Sequence, residues 1–140
     1  MISTVFKRGV AAGAAGVTAL NAVTYLDMAL RGRPTSESPE QTVDAVTGML
    51  GANIPGQGDT RRNRRTALGA LSGIGTGLAV GVATSAARAA GFRLPAPVGV
   101  LATGAAAMAA SDVPMAALGV SDPRTWAASS WLSDVVPHLA

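Results

Sequence analysis

The chain has 140 residues and a mass of 13.9 kDa, room for one compact unit, and only 14% of it is charged and 4% aromatic. A water-soluble domain of this size carries about 25% charged residues and fills its core with large side chains; the mean hydropathy of +0.35 and the alanine- and glycine-rich apolar fraction fit lipid instead. The absence of cysteine excludes disulfides, thiolate metal sites, cysteine nucleophiles and a lipid-bearing cysteine, and the net charge of +3 resides in arginines that flank apolar runs without forming one basic face, so no nucleic-acid partner is expected.

The first apolar run follows Lys7 and Arg8 and covers about 9–30. Gly9, Ala12, Gly13, Ala15, Gly16 and Ala19 keep it thin, and Thr18, Asn21 and Tyr25 fall on one helix face. A basic start before an apolar run also fits a cleavable signal peptide. The run is long for that, however, and Asn21, Asp27 and Arg31 interrupt any cleavage zone.

A polar segment, 31–65, comes next. Within it Ser38, Pro39 and Gln41 have the spacing of an N-cap, a first helical residue and a capping-box partner. Val43, Val46, Met49 and Leu50 recur at helical intervals, and Gly51 suits a C-terminal stop. The pattern predicts an amphipathic surface helix over 38–50. A loop over 53–59 leads to Arg61, Arg62, Arg64 and Arg65.

The second apolar run, placed at 66–88, is the most telling part of the chain. Its first 22 residues, 66–87, contain no Asp, Glu, Lys or Arg. A helix of that length rises roughly 33 Å, enough to cross a bilayer core of about 30 Å. Gly69, Gly73, Gly77 and Gly81 recur every fourth residue, a glycine zipper that lets another backbone approach closely in lipid. In a water-soluble helix each such glycine costs roughly 1 kcal/mol against alanine.

The third apolar run covers 97–118 and carries Asp112 and Pro114. Ser121, Asp122 and Pro123 then form a second helix start, with Trp126 and Trp131 on an amphipathic helix over 122–135. The residues 135–140 read as the opening of another helix. The expected fold is therefore all-α: one integral membrane domain over 1–140, a bundle of three transmembrane helices, one amphipathic surface helix and a C-terminal amphipathic helix.

Orientation follows from the basic residues. Arg31, Arg33, Arg61, Arg62, Arg64, Arg65 and Arg124 share one side, against Lys7, Arg8, Arg88 and Arg93 on the other. Seven against four puts the 31–65 loop in the cytoplasm. Tyr25, Trp126 and Trp131 fall at that end and Phe6 and Phe92 at the other, as interfacial aromatics do.

The same topology brings Asn21, Asp27, Arg64, Arg65 and Asp112 into one leaflet. Two readings are open: an ion pair between Asp112 and Arg64 or Arg65 that locks the bundle, or a proton or cation relay through Asp112 with Asn21 and Asp27 beside it. No catalytic constellation is visible. The lone His138 follows Pro137 without a cluster of metal ligands, and Gly73, Gly75 and Gly77 lack the strand and lysine of a phosphate loop. No enzyme activity, metal or cofactor is expected. The expected partners are the bilayer, anionic lipid at Arg61, Arg62, Arg64 and Arg65, and a second copy or another membrane protein.

The strings TALNAVTYLDM (18–28), SDVPM (111–115) and LGVSDPRTW (118–126) resemble a family of small uncharacterised membrane proteins from high-GC actinobacteria. The likeness covers nearly the whole chain. It implies an integral protein of the plasma membrane, and members continue past the equivalent of Pro137, His138 and Leu139 into a fourth helix. The family brings no activity, ligand or catalytic residue with it. More distantly the chain is similar to a bacterial inner-membrane group linked with acid tolerance. Small four-helix multidrug transporters depend on a glutamate in their first helix, and the first apolar run here has none. The function expected is a non-enzymatic structural or interaction component, with a stress-related role as one version. The alternative is a small proton or cation transporter or channel subunit.

Overall fold

Glycine sets how the long helices of this protein meet. A computed structural model describes residues 2–140, with helices α1 (Ile2–Arg31), α2 (Ser38–Met49), α3 (Gly58–Ala89), α4 (Ala96–Ala117) and α5 (Ala128–His138), and a 3-10 turn at Pro123–Thr125. No strand occurs among the described residues. α1 and α3 run antiparallel and cross where Gly9 and Gly13 face Gly77 and Gly81. A methyl group on Gly13 would lie 2.7 Å from the Gly77 carbonyl oxygen, so only bare backbone fits. Beside the crossing, Ser85 Oγ donates a 2.9 Å hydrogen bond to the Val5 carbonyl. Val17 Cγ2 packs against Gly77, whereas a Cβ on Gly73 would meet nothing within 4 Å.

The shorter helices pack against the long ones. α2 lies on α3, with Pro39 against Gly69. α5 lies against both α1 and α4. It runs back along α4, because a Cβ on Gly104 would sit 2.6 Å from the His138 carbonyl oxygen. Gly104 is the ninth of the 22 residues of α4, so the C-terminal end of α5 reaches the middle of that span.

Several expected boundaries shift. α3 starts at Gly58, so the arginine cluster is helical and not loop. Asp59 in the first turn favours this, facing the positive end of the helix dipole and pairing with Arg62 at 2.7 Å. The 32 residues rise roughly 48 Å, so the polar first turns stand outside a core of about 30 Å. The capping box at Ser38 does not form. Glu37 is the N-cap, Ser36 Oγ accepts from the Ser38 N–H at 3.2 Å, and Ser38 itself is helical. The stop at Gly51 is a Schellman turn: φ is +63°, the Gly51 N–H reaches the Gly48 carbonyl at 3.1 Å, and the Ala52 N–H reaches that of Thr47 at 2.9 Å.

The C-terminal helix begins later than expected. Asp122 Oδ1 accepts from the Arg124 N–H at 3.0 Å and closes only a 3-10 turn. Trp126 Nε1 donates to Ser121 Oγ at 2.9 Å, and Trp126 and Ala127 are extended. The helix restarts at Ala128 and continues through Pro137 to His138, so residues 135–138 are the last turn of α5. Trp126 and Trp131 meet edge to face at 5.2 Å across this bend.

There is almost no apolar core. Among the described residues Ile54 is the one buried hydrophobic side chain, and Phe6, Leu26, Leu71, Val100 and Leu101 are exposed. The apolar windows of α1, α3 and α4 are long and hydrophobic enough to cross a membrane, yet only 11%, 6% and 11% of their residues are buried within the chain. Helices that present so much apolar surface outward are stable only where the surrounding solvent is itself apolar. This is a small helical membrane protein.

Candidate functional site

Asp112 is the one buried polar residue among those described, 7% exposed. It projects from α4 five residues before the helix ends, roughly 7.5 Å along the axis. The expected partners do not reach it. Arg65 pairs with Asp44 of α2 at 2.6 Å, Arg61 with the same carboxylate at 3.1 Å, and Arg62 with Asp59. Arg64 is exposed, with its guanidinium beside Gly56. The proposed lock of Asp112 on Arg64 or Arg65 is therefore corrected. The physical reason is intervening helices: α2 delivers a nearer carboxylate to Arg65, and α5 takes the place beside Asp112.

Asp27 is also accounted for locally. It accepts from Arg31 Nε at 2.6 Å and Arg33 Nε at 2.5 Å, and Arg31 also donates to Ser133 Oγ of α5. Asn21 is exposed on α1. The expected set thus divides into an α1–α5 network at Asp27, an α2–α3 network at Arg65, and Asp112 in a third place. The four glycines of α3 divide too. Gly77 and Gly81 lie against α1, Gly69 lies against Pro39, and Gly73 has open space around it.

α5 brings to Asp112 two side chains that sequence reasoning did not single out together, Asp134 and His138, both within electrostatic reach. Their spacing of four puts them on one helix face, a signal present in the sequence. What spacing alone could not show is that α5 brings them within electrostatic reach of Asp112. His138 Nδ1 lies 2.8 Å from the Asp134 carbonyl oxygen and 3.4 Å from its Oδ1. A carbonyl only accepts, so Nδ1 carries a hydrogen. Ser111 Oγ stands 3.4 Å from Asp112 Oδ1, and Asp134 Oδ2 is buried without a hydrogen-bond partner. Burial pushes the Asp134 carboxyl above its ordinary range, with His138 pulling the other way.

Asp134 and His138 are neighbours on α5, and Asp112 makes no hydrogen bond or ion pair with either of them. No grouping of three or more His, Asp or Glu side chains suited to a metal ion occurs among the described residues. A cleft of about 230 Å³ lies between α1 and α5, lined by Val23, Asp27, Arg31, Ser133 and Val136 among others.

No protein-family model matches the chain, and no curated protein and no solved structure matches it significantly. Its functional reading rests on this geometry.

Proposed function

We propose that the chain is a non-enzymatic integral membrane protein acting as a structural or interaction component of the plasma membrane, with the 31–65 segment on the cytoplasmic side. The observation that carries this reading is the division of labour among its side chains. Small residues hold α1 to α3, while many large apolar side chains remain outward, available to lipid and to a second copy or another membrane helix. The excess of arginine at the 31–65 end supports the orientation. Arg61, Arg62, Arg64 and Arg65 stand at that end as a headgroup contact for anionic lipid. Asp44 and Asp59 compensate three of them, and Arg64 has no carboxylate partner among the described residues. Chemical cross-linking in native membranes, followed by a mild-detergent pull-down, tests the reading. A discrete oligomer or a reproducible membrane partner is expected, and a chain that stays monomeric and unaccompanied refutes it.

The Asp112, Asp134 and His138 cluster supports a second reading, a small proton or cation transporter or channel subunit. Against it stands the far half of the bundle. Residues 9–26, 66–87 and 96–111 contain no Asp, Glu, His, Lys or Arg, so no ionisable relay continues from Asp112 to the opposite face. Proton flux in proteoliposomes that disappears in Asp112→Asn would establish transport, and its absence from the unsubstituted protein across a range of pH gradients would end this reading.

A further inference from the structure

We infer that the groove between α1 and α3, at the end of the bundle opposite the 31–65 segment, binds one anionic phospholipid, with an acyl chain against the two helices and the phosphate held by Lys7 and Arg88. This goes beyond the proposed function, which places a headgroup contact only at the other end, and it depends neither on a protein partner nor on the orientation of the chain.

The groove follows from the glycine crossing. Gly9 meets Val82 and Gly13 meets Gly81 backbone to backbone, and one turn nearer the start of α1 Ser85 Oγ reaches the Val5 carbonyl at 2.9 Å. Beside this contact Phe6, Val10, Leu78, Ala79, Val82 and Ala83 line a space of about 430 Å³. All six are apolar. Ala79 and Ala83 end at Cβ and Phe6 is 58% exposed, so the chain does not fill the groove itself. From Phe6 to Val10 and from Leu78 to Ala83 it extends roughly 6–8 Å along each helix, the direction in which lipid tails lie.

An apolar groove alone selects no particular lipid, because one tail is as apolar as another. Charge supplies the selection. Lys7 adjoins Phe6 and stands three residues before Val10, one turn along the same side of α1. Arg88 stands three residues beyond Ser85 on α3, level with the first turn of α1. Both are exposed. Neither they nor Arg8 and Arg93 at the same end form an ion pair among the described residues, and residues 1–26 and 60–111 contain no Asp or Glu. The other end differs: Asp27 holds Arg31 and Arg33, Asp44 holds Arg61 and Arg65, Asp59 holds Arg62, and Asp122 holds Arg124. Four cations therefore close one end of the spans without a side-chain anion from them. Lysine and arginine lay their apolar stems along the helix and carry their heads to the depth of the lipid phosphates.

The occupant must supply an apolar chain in the groove and a negative charge just above it. A second copy inserted in the same sense brings the same four cations to that leaflet and no carboxylate, so it adds repulsion. A phospholipid with a net negative headgroup brings both parts, at the depths where the groove and the basic side chains lie. A zwitterionic phospholipid brings the tail, but its ammonium group faces cations.

The experiment uses the full chain in nanodiscs of equal phosphatidylcholine and phosphatidylglycerol, released into mild detergent and weighed by native mass spectrometry. One phosphatidylglycerol per chain should remain bound, preferred over phosphatidylcholine by about fivefold or more, since each basic side chain near an anionic surface contributes about that factor. The Lys7→Gln, Arg88→Gln double variant should retain the two lipids in the nanodisc proportion. Its fold is kept, because both side chains are exposed and make no ion pair. Ala83→Leu fills the groove and should lower retention of both lipids; Ala83 is exposed, so the longer side chain enters no packed core. Retention without preference in the unsubstituted chain overturns the inference. So does a preference that survives in the double variant, which a contact at Arg64 alone would give and which leaves the proposed function standing. A dimer that carries no lipid and comes apart in Ala83→Leu also overturns it, because the groove then holds a second copy.

Discussion

A methyl group at position 81 would stand 2.6 Å from Gly13 N and 2.7 Å from Gly13 Cα. Ordinary carbon contacts lie at about 3.5–4.0 Å. Both opposing atoms are backbone and cannot rotate aside, so Gly81→Ala must drive α1 and α3 apart by roughly 1 Å at their crossing, a gap that forfeits about a quarter to a half of each van der Waals contact there. The same movement strains the hydrogen bond from Ser85 Oγ to the Val5 carbonyl. Overpacking of this kind costs about 1–3 kcal/mol, and alanine returns up to about 1 kcal/mol through its higher helix propensity. The net destabilisation is up to about 3 kcal/mol, and each 1.4 kcal/mol of it is about a factor of 10 in the folded-to-unfolded ratio. Gly73→Ala is the control. Its methyl group meets nothing, so its effect should run from zero to about 1 kcal/mol of stabilisation. Energy transfer between dyes on Ala11→Cys and Ala79→Cys, followed through an SDS titration in mixed micelles, reads the α1–α3 contact directly. Equal midpoints for Gly81→Ala and Gly73→Ala would refute the reasoning.

Other perturbations test the shorter helices. Gly104→Val places a side chain where the His138 carbonyl now sits; hydrogen exchange of residues 128–138 should accelerate while the α1–α3 energy transfer stays unchanged, and unaltered exchange would mean that α5 does not seat there. Asp44→Asn and Arg65→Gln should each loosen α2, with a coupling of about 0.2–1 kcal/mol in a double-mutant cycle, as for other partly exposed pairs; strictly additive effects would deny the pair. The Arg124 side chain beside Asp122 holds that carboxyl below its ordinary range. Its contribution to the 3-10 turn is therefore fully present above the ordinary carboxylate range and is lost as pH falls through the lowered value. The Trp126 indole N–H resonance should accordingly be constant from about pH 8 to about pH 5, and a change within that window would contradict the pairing.

Much of the architecture was legible from composition and spacing. The long charge-free run at 66–87 and the two flanking apolar runs identify helices suited to lipid, because length and hydropathy are local properties and a bilayer selects on them directly. The surface helix was legible for the same reason: four apolar residues at helical spacing, closed by Gly51. Boundaries were less so. Neither the helical start at Gly58 nor the extended break at Trp126 follows from hydropathy, since the first depends on Asp59 at a helix terminus and the second on the Trp126 bond to Ser121.

Which charges meet was decided by tertiary structure. Depth along a span can be counted from the sequence, and it places Asp27, Arg64, Arg65 and Asp112 in one leaflet. Direction around the helix axis and the identity of the neighbour cannot be counted in that way. α2 inserts Asp44 beside Arg65, Arg31 and Arg33 fold back onto Asp27, and α5 seats Asp134 and His138 near Asp112. Gly104 is what admits α5 to the middle of α4, and in the sequence it is one small residue among many. By itself the sequence determined that this protein is made of thin apolar helices, because each residue's transfer free energy into lipid belongs to that residue. Only the fold decided which charges pair, Asp44 with Arg65 across α2 and α3 among them, because electrostatic pairing depends on distances of a few ångströms between segments apart in the chain.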